Sequence, residues 1–139
     1  MPCISLVFLH REFVPLLPTR VAPPTEPSEP PYFDSEAPSG WWESSAEILH
    51  SAATSVADII NELEETSITM MTPLAGFTAF TAAITLSHVA AFPHINHGMS
   101  PNAEAKAQIL IRYLTQVGQL WKIGEHWVSS TTIYGYWLF

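Results

Sequence analysis

Three histidines, His88, His94 and His97, close a long uncharged run of the chain. Imidazole is the commonest protein ligand for zinc, so this trio is the first place to look for metal chemistry. A zinc centre needs three or four donors, oriented by carboxylates or carbonyls behind them. No Asp or Glu stands beside these histidines; Glu104 is the closest along the chain. The H-x-x-H spacing of His94 and His97 matches no strong signature such as H-E-x-x-H, in which one helix face presents both imidazoles. The pattern places His88 near a helix end and His94 and His97 in the turn after a proline. Ordinary helix-end and turn residues are therefore expected, with His88, His94 and His97 as metal ligands the weaker alternative. His126, between Glu125 and Trp127, reads as a solvent-facing or helix-capping residue. No nucleophile elbow, Gly-rich phosphate loop or pair of catalytic carboxylates is visible. Glu64 and Glu65 are neighbours in sequence, so on a helix they point apart. Cys3 is the sole cysteine, which leaves no intrachain disulfide and no cysteine zinc cluster. The expectation is a non-enzyme, with no catalytic residues and no cofactor of its own.

The elements that would carry these residues are legible from periodicity. Pro15, Pro18, Pro23, Pro24, Pro27, Pro30, Pro31 and Pro38 crowd one stretch. Proline removes a backbone donor and biases its predecessor toward extended conformations. Residues 1–40 are accordingly expected to form a disordered, acidic arm, and 41–139 a helical domain. Tyr32, Phe33, Trp41 and Trp42 among acids suggest an interaction segment, a plain linker being the simpler reading. Beyond the arm, Ile48, Leu49, Ala52, Ala53, Val56, Ile59, Ile60 and Leu63 trace one helical stripe. Ser44 and Glu47 suit a capping box, predicting a helix from about Ser45 to Glu65. Glu62, Glu64 and Glu65 crowd its C-terminal end, where the helix dipole disfavours them, so packing or a basic partner must compensate. A second helix opens with Thr72 as cap and Pro73 at the first position, and runs to about Ala91 before Phe92-Pro93. A third is expected from Ser100-Pro101 to about Trp121, on Ala107, Leu110, Leu114 and Val117. Ile123-Gly124 breaks the pattern, and the remainder forms a fourth helix or an extended tail. The fold class is all-α, with three to four packed helices.

Composition narrows the functions. Of 139 residues, 47% are hydrophobic and only 13% charged, so much of the surface expects a cover. A net charge of −8 argues against direct nucleic-acid contact, which needs basic residues on phosphates. The N-terminus lacks the basic start and small-residue cleavage pattern of a secretory signal. Residues 73–92 carry no charge and are long enough for a membrane span. Their threonines, serine and His88, and the lack of flanking Lys or Arg, favour a buried helix instead. A small membrane protein anchored by residues 73–92 is the alternative.

"MTPLAGFTAFTAA", "SHVAAFPHINHG" and "WKIGEHWV", in that order, resemble the later part of the regulatory middle homology region of fungal binuclear-zinc-cluster transcription factors. The resemblance rests on Thr72-Pro73 with Gly76-Phe77, on Ala82-Ala83, on His88 before Phe92-Pro93, and on a W-x-x-G-x-x-W element at Trp121, Gly124 and Trp127. It covers about Ser44 to Tyr134. It implies an all-α fold, nuclear location and a non-enzymatic role tuning transcription. The implied partners are the remainder of a transcription factor or a dimer partner, with a small-molecule effector as a further option. The family's zinc belongs to a six-cysteine module that this chain, with Cys3 alone, does not carry. The chain is therefore expected to be a fragment that does not touch DNA itself, marginally stable and with apolar surface exposed.

Overall fold

Helix α3 (Pro73–Ala91) is the axis around which the other elements pack. In the computed structural model, which describes residues 2–11, 38–68, 70–91 and 101–136, it is joined by α1 (Pro2–Arg11), α2 (Trp41–Glu65), α4 (Ala103–Leu120) and α5 (Lys122–Tyr136). All four of these helices pack against α3. The described residues contain no strand, so the chain is all-α as its periodicity implies.

The composition of α3 explains its place. Ala75, Gly76, Ala79, Ala82 and Ala83 are buried, and such small side chains let neighbouring helices approach closely. Its buried threonines do not need outside partners. The Oγ1 atoms of Thr78, Thr81 and Thr85 donate to the carbonyls of Leu74, Phe77 and Thr81 at 2.8, 2.8 and 3.0 Å. With those hydroxyls satisfied inside the helix, each threonine presents a methyl group outward and the helix behaves as apolar on every side. Thr72 caps the first turn as expected, its Oγ1 accepting from the Ala75 amide at 3.2 Å.

Helix α2 buries Leu49, Ala52, Ala53, Val56 and Ile60, most of its predicted stripe, while Ile48 and Ile59 stay exposed. It starts earlier than expected. Gly40, at φ 76°, is the N-cap, and the Ser44 amide already donates to the Gly40 carbonyl at 3.1 Å. Ser44 therefore lies within the first turn and cannot form the capping box with Glu47. At the other end Ser67 takes a left-handed φ of 56°, and the Ser67 and Ile68 amides donate to Glu64 and Leu63. This double bond closes the helix in the manner glycine usually serves. One of the crowded acids finds a basic partner, the Arg112 guanidinium meeting the Glu64 carboxylate at 2.5 Å, and further back along α2 Asp58 pairs with Lys106.

Three further boundaries differ from the sequence expectation. Helix α4 begins at Ala103 with Asn102 as N-cap, so Pro101 stands in the preceding turn. The break after α4 is at Trp121, in extended conformation, and Gly124 lies inside α5. The largest correction concerns the arm. Pro2–Arg11 is helical and Val7 is buried at 1% exposure, so α1 joins the four described helices of 41–139, the upper number expected there. The prolines that prevent helix formation begin at Pro15; Pro2 sits at the first helical position, which tolerates it. Residues 12–37, the bulk of the proposed arm, lie outside the described residues, as does the Phe92-Pro93 stop.

Candidate functional site

The histidines divide. His88 is buried at 4% exposure in the last turn of α3, between the core residues Leu86 and Val89. His94 and His97 lie outside the described residues. Among the described residues no group of three His, Cys, Asp or Glu side chains could hold a metal. His126 is exposed on α5, and Cys3 is half-buried on α1.

What the structure does assemble is the junction of α3, α4 and α5. Gly124 faces Gly118 so closely that a Cβ on Gly124 would stand 2.7 Å from the Gly118 backbone. Only a residue without a side chain permits that approach, which turns α5 sharply back from α4. The turn carries Trp127 onto Gly76, where a Cβ would meet the indole at 2.8 Å and Val117 at 3.0 Å. Phe77 and Phe80 flank the same indole with ring centroids 6.0 and 5.8 Å away, and Phe8 of α1 stacks on Phe77 at 5.7 Å. Aromatic pairs at these separations add modestly to their area burial.

Two polar clamps hold the α2–α3 connection against this corner. The Trp121 indole donates to the Met71 carbonyl at 2.8 Å, and the Tyr113 hydroxyl donates to the Met70 carbonyl. Burial pushes the Tyr113 phenol above its ordinary value. The Arg112 guanidinium is raised by its hydrogen bond with Glu64 and then by that carboxylate's charge. Around the clamps Leu74, Leu120, Trp121 and Ile123 are exposed, Leu120 at 65%. This corner thus presents exposed apolar side chains beside a backbone held by two hydrogen bonds.

A second feature was not legible in the sequence. Helix α1 lies along α2, with His10 Nδ1 2.8 Å from the Oγ of Ser45, which is 2% exposed. His50 is buried in the same helix. Between α1 and α2 a groove of about 320 Å³ opens, lined by Leu6, Glu47, Ile48, Ser51 and Ala52 among others. The apolar run "ISLVFLH" was the available signal for α1, and it was outweighed by the prolines that follow. No family model, curated protein or solved structure matches the chain.

Proposed function

We propose that the chain is a helical interaction domain that tunes transcription, of the kind found in the regulatory middle homology region of fungal binuclear-zinc-cluster factors. It acts through protein contact or a small-molecule effector, in the nucleus, without touching DNA. One observation supports this reading. The segments that carry the resemblance, Thr72 to Phe77 and Trp121 to Trp127, are far apart in sequence yet pack on each other through Gly76 and the Trp127 indole. The remaining features agree with it: a net charge of −8 and an exposed apolar corner suit a protein partner better than a nucleic acid.

The test is a reporter assay in a fungal host, with the chain fused to an unrelated DNA-binding domain. Reporter output should shift relative to the DNA-binding domain alone. Trp127→Ala, which removes the indole from Gly76, should cancel the shift, whereas the exposed Glu104→Gln should leave it. A fusion indistinguishable from the DNA-binding domain alone counts against the proposal.

A further inference from the structure

We propose that the groove between α1 and α2 is a docking site for a basic amphipathic helix of another protein. The inference rests on reading the chain as an interaction domain, but not on a role in transcription. Its walls are apolar: Leu6 of α1 and Ile48 of α2 are 37% and 36% exposed, and Cys3 stands one turn from Leu6. Ser51, Ala52 and Ser55 add small side chains to the lining, and Glu47 adds a carboxylate. The Ser55 hydroxyl donates to the Ser51 carbonyl at 2.8 Å, so it is satisfied within α2 and makes no claim on a ligand. Small residues beside two branched ones leave room for large aliphatic or aromatic side chains from a partner. Such knobs are what one face of an amphipathic helix supplies at i, i+3, i+4 and i+7.

The same face of α2 continues the pattern beyond the groove. Ile59, exposed, stands one turn past Ser55, which gives an apolar track along Ile48, Ala52, Ser55 and Ile59. Glu47, Asp58 and Glu62 run beside it on the solvent side of the helix. Asp58 is engaged by Lys106 of α4; α2 itself contains no Lys or Arg. The track is thus apolar with an acidic margin, and its complement is an apolar stripe with a basic margin.

Charge also decides between occupants. A second copy of the chain brings a net charge of −8 to an acidic margin. The chain's own proline-rich stretch is acidic as well, with Glu12, Glu26, Glu29, Asp34 and Glu36 against Arg20. Like charges facing each other across an interface disfavour association, so both are poorer fits than a basic helix from elsewhere.

Fluorescence anisotropy of the full chain with a labelled synthetic peptide tests this. The probe carries leucines at amphipathic helical spacing and lysines on the opposite face. A scrambled peptide of the same composition serves as its control. The amphipathic peptide should bind, more weakly as salt rises, and the scrambled one should not. Ser51→Trp, an exposed position that fills the groove, should weaken binding by about tenfold or more, equivalent to ~1.4 kcal/mol. Ile48→Ala, which lowers one wall, and Glu47→Lys should weaken it in the same direction. Glu125→Lys, an equal charge change on α5, should leave it unchanged. Absence of binding, equal binding of the scrambled peptide, or equal losses from Glu125→Lys and Glu47→Lys would overturn the proposal. So would a dimer of the unliganded chain that Ser51→Trp disperses in sedimentation, since the groove would then belong to a second copy. The reporter assay can fail while this titration succeeds, and the reverse, so the two readings are tested separately.

Discussion

At the scale of single residues, the glycines show how differently one side chain can be tolerated at neighbouring positions. A Cβ on Gly124 would meet backbone atoms of Gly118 at 2.7 Å, and backbone cannot rotate away. A Cβ on Gly118 would meet the Glu125 amide and Gly124 at 3.4 Å, an ordinary contact. Gly124→Ala should therefore lower stability in urea unfolding by ~1–3 kcal/mol, the cost of forcing packed elements apart. Gly118→Ala should be neutral or stabilising by up to ~1 kcal/mol, because glycine inside a helix costs conformational entropy. Equal effects at the two sites would contradict the close crossing of α4 and α5. His88 has the residue type of a ligand and is buried at 4% exposure in the last turn of α3.

Helices α1 and α3 are where sequence pattern and final role diverge most at the scale of elements. By length and hydropathy alone α3 qualifies as a membrane span, with a mean hydropathy of 1.5. In the fold it is surrounded by α1, α2, α4 and α5, and its threonines are satisfied within the helix. A buried core helix and a span are both apolar on all sides, so length and hydropathy alone do not separate them. Alkaline carbonate extraction of expressing cells does. The interaction-domain reading expects the chain in the supernatant, whereas retention in the lipid pellet would favour an anchor formed by residues 73–92. Helix α1 has the reverse history. It is short, and helices of that length are marginal in isolation. Its stability is tertiary, supplied by Val7 in the core, by Phe8 on Phe77 and by His10 on Ser45.

Over the whole molecule, the clamp made by Tyr113 links stability to pH. Tyr113 is raised by burial from its ordinary value of 10.0. A group whose proton is held more tightly in the folded state contributes fully below the unfolded value and loses that contribution as pH climbs through the folded one. The unfolding free energy should therefore fall above pH ~10, and fall less steeply in Tyr113→Phe. The other tyrosines are common to both chains and cancel in the comparison. Parallel slopes would mean that the phenol is not held in the folded core.

The sequence by itself determined the helical class and the apolar stripes of α2 and α4. It also set the Thr72-Pro73 start and the excess of acids at the end of α2. These follow from local spacing and capping chemistry, which act within a few residues. Which base would meet those acids was open until α4 placed Arg112 on Glu64. The first residues became a helix because a neighbouring surface was there to receive Val7. The α1–α2 groove exists only once both helices are docked. Gly124 looked like a helix breaker in sequence and is a point of contact in the fold. Close approach between distant segments leaves no periodic trace along the chain, since it depends on what a residue lacks and on what lies opposite. Local order was therefore readable from the residues, whereas burial, partnership and concave surface were decided by the assembly of the five described helices.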